Sequence, residues 1–223
     1  MSVFQVWGKE KKPIERSAIN ADLSLYTNCL LDIGAGDAKG SLRYAKSHPD
    51  TFVITLDSSF DAQNKTSRTA SKKPEKGGSK NLLCLYGNVK ESSKFLENIA
   101  DEVRVILPWG DLLEGIAEIS EEVVKALSVM TKDQGTITYV INAEIWKENL
   151  PKSLSHLGDV TPNFFLNNSE KFEKYNQQIK DSRYLELNEI ADLDTTWSAK
   201  LMSSRNNADF VMATAVVKKN RQH

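Results

Sequence analysis

The 223-residue chain has two cysteines, three histidines and no surplus of either charge: 29 Lys and Arg stand against 30 Asp and Glu, a formal net charge of −1. Two cysteines are too few for a disulfide framework. Cys29 and Cys84 both lie in apolar runs ("NCLLDIG", "NLLCLYG") and are expected as buried, reduced thiols of an intracellular protein. His48, His156 and His223 are scattered and no cysteine has ligand spacing, so neither a metal site nor a Ser/His nucleophile is expected. Without a global basic field, any contact with nucleic acid must rest on local patches. No apolar run approaches the ~18–20 residues of a membrane span, and the N-terminus has no signal-peptide core. A soluble, cytoplasmic protein with no membrane partner is expected.

What is present is enough apolar residue, 40%, for one well-cored domain over 1–223. "VFQVWGKEKKPIE" reads as a hairpin around Gly8, an N-terminal extension over 1–16 ahead of the main fold. The chain then alternates. "CLLDIGAG", "TFVITLD", "NLLCLYGN", "VRVILP" and "GTITYVIN" are strands, and "DAKGSLRYAKSH", "SFDAQNKTSRTASKK" and "SEEVVKALSVMTK" are helical, the last with Ser120 as N-cap. Continuous apolar strands between helices predict a mostly parallel sheet covered on both faces. "SRYLELN" and "DFVMATAVV" flank the helical stretch "DTTWSAKLMSSR" and lack long helices after them, which suits an antiparallel addition at one edge. Residues 142–169 show no periodicity and read as an irregular insertion or mobile loop between the late strands. Trp7 and Trp146 read as core or hinge residues.

"DIGAGDAKG" (32–40) leaves a strand and opens a helix, the setting of a nucleotide-binding loop. Asp57 ends the next strand, 21 residues after Gly36, where a carboxylate meets ribose hydroxyls. The dinucleotide pattern G-x-G-x-x-G wants glycine at Lys39, and here the third glycine is Gly40. Asp32 and Asp37 would repel a pyrophosphate but attract a sulfonium and an amino-acid ammonium. Charge therefore favours S-adenosylmethionine over a nicotinamide dinucleotide, with a tight turn capped by Asp37 as the purely structural alternative. Asn88 ends the third strand of the alternating series, where its amide either pairs with an adenine edge or caps a turn.

In "VILPWGDLL" (105–113) an apolar strand stops at Pro108 and presents Trp109 where open α/β sheets bind ligands. Chemistry on a stacked base requires its extrusion, and the extruded base needs new stacking partners. Trp109 is placed to supply one face and Trp197, in the late helical stretch, the other; each ring is equally compatible with a core or hinge position.

"NIADEVRVILPWGDLLEGI", "KKPEKGG", "SRYLELNEIADLDTTW" and "KLMSSR", with "LDIGAGDAKG" and "TFVITLD", closely resemble the aminoglycoside-resistance 16S ribosomal RNA methyltransferases of the KamB/NpmA type, from about residue 3 to 219. That resemblance implies a class I methyltransferase fold (Rossmann-like): a seven-stranded, mostly parallel sheet with its last strand antiparallel, after an N-terminal hairpin. It implies methyl transfer from S-adenosylmethionine to N1 of adenine 1408 in the decoding site of the 30S subunit, by a monomer. Asp32, Gly34, Gly36 and Asp37 are then expected on the methionine side of the cofactor, Asp57 on the ribose and Asn88 near the adenine. Trp109 and Trp197 would sandwich the flipped base, with Pro108 beside it, and Arg205 would grip a phosphate.

The chain departs from the family's pattern in places. Ala38 stands where glycine is usual, a tolerable change if that residue starts the helix at negative φ. Lys90 replaces an acidic residue, so the adenine end is expected to be built differently. Ala199 precedes Lys200 where paired basic residues are usual, and Asn207 replaces another, so fewer phosphate contacts are expected there. Residues 62–80 carry six cations, among them Lys72, Lys73 and Lys76, against Glu75 alone, a patch suited to RNA or to plain solvation. Lys9, Lys11 and Lys12 extend it. The same residues would also serve methylation of another RNA site or a small molecule, a weakly active homologue, or a binding module without turnover.

Overall fold

The computed structural model describes residues 3–186, 188–189 and 209–219. A hairpin comes first, β1 (Phe4–Trp7) and β2 (Glu10–Pro13), turning at Gly8 with φ +59°. After α1 (Arg16–Leu23) the alternation begins: β3 (Asn28–Ile33), α2 (Lys39–Ser47), β4 (Thr51–Asp57), α3 (Asn64–Ala70), β5 (Leu82–Tyr86), α4 (Val89–Ser92), β6 (Ala100–Ile106) and α5 (Gly110–Ala117). A π-helical turn, Glu121–Lys125, runs into α6 (Ala126–Met130), with Ser120 Oγ accepting the Val123 N–H as a cap. The remaining strands are β7 (Thr131–Asn142), β8 (Gln177–Tyr184) and β9 (Phe210–Val217).

All nine strands form one sheet in the order β2-β1-β5-β4-β3-β6-β7-β9-β8. Strands β3 to β7 are parallel, and β9 runs antiparallel to both β7 and β8. Of the two strands expected as an antiparallel edge, only the last therefore runs against the rest. The hairpin is not a separate extension, because β1 pairs with β5 and lengthens the sheet. The connections go from β3 outward to β4 on one side and return to β6 on the other. The crevice beyond the C-terminal ends of β3 and β6 is thus the switch point, where such sheets take ligands.

Burial follows the apolar runs. Every residue of β4 from Thr51 to Leu56 is buried and Asp57 emerges at its end. The free thiols Cys29 and Cys84 are buried, and burial pushes them up to about 12 and about 11, so both stay protonated.

Residues 142–169 differ from the irregular insertion expected of them. They form α7 (Ala143–Asn149), a 3₁₀ stretch Lys152–Leu157, α8 (Pro162–Asn167) and the start of α9 (Ser169–Glu173). Asn142 caps α7 by accepting the Glu144 and Ile145 N–H groups, and the buried Trp146 donates Nε1–H to the Gly158 carbonyl at 3.0 Å. Phe165 and Phe172 stack at 5.6 Å and both meet Tyr139 of β7. Helices of five to seven residues hold too few turns to show a period, so single aromatic anchors carry the packing instead. Among the described residues no helix is long and apolar enough to cross a membrane.

Candidate active site

The turn after β3 is held in left-handed backbone. Gly34 has φ +71° and Gly36 φ +56°, conformations that cost a side chain and that glycine adopts freely. Asp57 closes this turn from the neighbouring strand: Oδ2 accepts the Gly36 N–H and Oδ1 the Ser59 N–H, both at 2.7 Å. Burial pushes its pKa up, and these two hydrogen bonds pull it partly back.

Ala38 corrects an expectation. It does not start the helix at negative φ; it is the N-cap of α2 at φ +54° and is buried. A left-handed alanine costs about 1–2 kcal/mol, which explains why glycine suits this position. Asp37 is not the capping residue either, although its Oδ1 accepts the Lys39 N–H at 3.1 Å and its Oδ2 meets Lys39 Nζ at 2.7 Å.

Asp32 is half-buried below the turn. Ser41 Oγ donates to its Oδ2, and Arg104 is its register neighbour on β6. Burial pushes its pKa up, while Ser41 and then Arg104 oppose the shift. Arg104 itself is held by Glu102 at 2.6 Å and lies 4.5 Å from the centre of the Tyr44 ring.

Above the switch point lies a crevice of about 350 Å³ whose walls include Gly34, Asp57, Asn88 and Trp109. Asn88 caps α4, accepting the Lys90 N–H at 2.9 Å, and it also lines the crevice. Lys90 also lines the crevice, and its ammonium meets Glu122 of the π-helical turn at 2.5 Å.

Trp109 sits at the mouth because the strand end is an elbow. After Ile106 the chain enters left-handed backbone at Leu107, φ +53°, directly before Pro108. That region is strained for a leucine and worse before a proline, a cost on the order of 1–3 kcal/mol. Packing sustains it: Leu107 is buried with Val140 and Phe210, and its N–H donates to the Val140 carbonyl at 2.8 Å. Pro108 is buried behind, Gly110 turns again at φ +52°, and Trp109 projects between them, 44% exposed.

Of the expected site residues, Gly34, Asp57, Asn88 and Trp109 meet at this crevice, Gly36 is tied to it through Asp57, and Asp32 is held by Ser41 of α2. Lys72, Lys73 and Lys76 lie away from it, on the loop after α3, exposed. Trp197, Lys200 and Arg205, with Ala199 and Asn207, lie outside the described residues. Ser58 and Asp111 also line the crevice, Asp111 from within the "VILPWGDLL" stretch though not singled out there. Each follows a recognised element by one or two residues, the only signal available. Trp146 is core, while Trp7 ends β1 beside the Gly8 turn and is 50% exposed.

Residues 4–216 match the family model for 16S rRNA (adenine(1408)-N(1))-methyltransferase, NpmA. A protein of that name from Streptoalloteichus hindustanus is 28% identical over 213 residues, covering 96% of this chain and 98% of its own. The crystal structure of the 16S rRNA methyltransferase KamB superposes with a TM-score of 0.88 at 27% identity, covering 97% of this chain and all of that one. A tryptophan-to-alanine variant of the enzyme from Catenulisporales acidiphilia, crystallised with cosubstrate SAM, gives the same TM-score of 0.88 over the full length of both chains; at 24% identity it speaks to the fold.

Proposed function

This chain belongs to the NpmA family of 16S rRNA (adenine(1408)-N(1))-methyltransferases, and from that premise we propose which of its residues carry the transfer. It is an S-adenosylmethionine-dependent enzyme that methylates N1 of adenine 1408 of 16S rRNA; the 30S subunit is its proposed partner and aminoglycoside resistance the proposed outcome.

The residues around the crevice suit the cofactor. A Cβ added at Gly36 would meet nothing within 4 Å, so the backbone there borders open space that a ligand can fill. Each Asp57 oxygen spends one lone pair on a backbone N–H and keeps another for a ribose hydroxyl. Asn88 lies toward the adenine. Gly34 and Gly36, with the carboxylates of Asp32 and Asp37 nearby, hold the methionine end, where negative charge complements an ammonium and a sulfonium. When bound, S-adenosylmethionine supplies an activated methyl group on a positively charged sulfur.

Trp109 and Trp197 clasp the extruded adenine, with Pro108 closing the strand end beside it. Adenine N1 carries an available lone pair at neutral pH, so no general base is needed. Positioning supplies most of the rate, and good orientation lowers a barrier by ~7–11 kcal/mol. The methylated ring is cationic, and two indole faces favour a cation. Lys72, Lys73, Lys76, Lys200 and Arg205 hold rRNA phosphates.

The observation that carries this reading is Trp109, half exposed at the mouth of the crevice on a strained elbow. The test incubates the protein with 30S subunits and labelled cofactor and maps the modified base by primer extension. A stop at adenine 1408 is expected, with Trp109→Ala and Trp197→Ala each lowering kcat/KM by at least ~5- to 100-fold, the worth of one stacked base, while cofactor affinity stays. Normal turnover in both variants would remove the base clasp.

A further inference from the structure

We propose that Trp7 and the cleft below it form a second stacking site, which takes an unpaired base of the ribosomal RNA when the enzyme docks. The proposal rests on the reading that the substrate is RNA, and it concerns a surface at the far end of β5 from the crevice.

Strand β1 pairs with β5 only at Phe4↔Tyr86 and Gln5↔Leu85. Beyond Gln5 the ladder stops, leaving a cavity of about 520 Å³ between the hairpin and the loop after α3. Trp7, Lys72, Lys73 and Lys80 line it, with Leu82 and Cys84 of β5 beneath. Strand alternation turns Val6 inward, 2% exposed, and Trp7 outward, 50% exposed.

The ring is mounted on fixed backbone. Trp7 pairs with Glu10 across the hairpin, and the next residue, Gly8, donates its N–H to Ser67 Oγ of α3 at 3.0 Å. The backbone that carries Lys72 and Lys73 is held too, since their loop folds back with Gly78 N–H donating to the Lys73 carbonyl at 3.1 Å. Asp22 and Glu75 share the lining, so three lysines stand against two carboxylates and the balance is one positive charge. A half-exposed indole in a lining with excess cations offers single-stranded nucleic acid a face for a base and lysines for the flanking phosphates. The partner's polyanion complements this charge.

The test uses the full chain with 30S subunits, comparing Trp7→Ala, Trp7→Phe and the double variant Lys72→Ala/Lys73→Ala. Trp7→Ala is expected to raise KM for 30S and weaken its binding by about 5- to 100-fold, with kcat, cofactor affinity and the salt slope unchanged. Trp7→Phe restores most of the loss, because a flat ring remains. The lysine double variant lowers the salt slope by about 0.7–0.9 per lysine. Chemical footprinting of the bound subunit is expected to show one rRNA base protected by the parent and reactive with Trp7→Ala.

Unchanged KM and binding in Trp7→Ala would overturn the proposal, as would a loss that phenylalanine does not restore. Weakened binding with no base changing reactivity would assign the ring to a ribosomal protein and overturn it too. The two readings separate cleanly. Failure of the parent to methylate 30S defeats the adenine assignment, while Trp7-dependent binding and the footprint still decide this one.

Discussion

The Asp57 carboxylate accepts the Gly36 N–H at 2.7 Å and so ties the turn after β3 to the end of β4. With Ser59 on the other oxygen, both acceptors are engaged before any ligand arrives. Asp57→Asn keeps the shape but replaces one acceptor with a donor, which then faces a backbone N–H. One unpaired buried donor costs about 1–3 kcal/mol, so cofactor affinity is expected to fall between fivefold and a hundredfold, roughly. Calorimetric titration of the variant checks this, and parent-like affinity would show that the tie does not organise the turn.

Asp32 lies above its ordinary carboxylate pKa mainly through burial. A group whose folded pKa is raised takes up a proton more readily in the fold. It therefore favours the folded state at acid pH, and that contribution is lost as pH rises from the unfolded value through the folded one. Asp32→Asn never ionises, so its stability relative to the parent is expected to grow from acid toward neutral pH. Cofactor affinity falls in the same variant. Thermal melts across pH read the sign, and a gap that shrinks toward neutrality would contradict it.

Gly78 explains the spacing in "KKPEKGG". A Cβ there would stand 1.7 Å from the Lys72 carbonyl oxygen, a backbone atom that cannot step aside. Gly78→Ala must open the loop that displays Lys72 and Lys73. A loss of about 1–3 kcal/mol in stability is expected, with a raised KM for 30S and unchanged cofactor affinity. Steady-state kinetics with each substrate varied in turn distinguishes the two effects.

Gly115 governs the far wall of the crevice. Its added Cβ would meet Val123 Cγ2 at 2.3 Å, and Val123 lines the crevice from the π-helical turn. Gly115→Ala is expected to lower Tm by about 2–12 °C, following an overpacking cost of about 1–3 kcal/mol, and to weaken cofactor binding as Val123 is displaced. A variant with parent-like Tm would mean that the turn yields freely.

Local pattern sufficed for much of this protein. Apolar runs marked the strands, the 21-residue step from Gly36 to Asp57 placed a carboxylate beside the glycine turn, and Pro108–Trp109 marked a strand that ends at a crevice. Each of these signals is carried by neighbours along the chain, where periodicity and spacing translate directly into geometry.

Long-range packing settled the rest. That Ala38 adopts positive φ, that Trp146 is core while Trp7 stands in solvent, and that Lys90 meets Glu122 all depend on which surfaces come to face each other. The hairpin's membership in the sheet depends on two residues of β1 finding β5 some eighty positions away. The short helices of 142–169 hold through aromatic anchors against β7 instead of any repeat of their own. Such contacts join residues distant in sequence, and their energies arise only once the chain has closed on itself; no local pattern carries them.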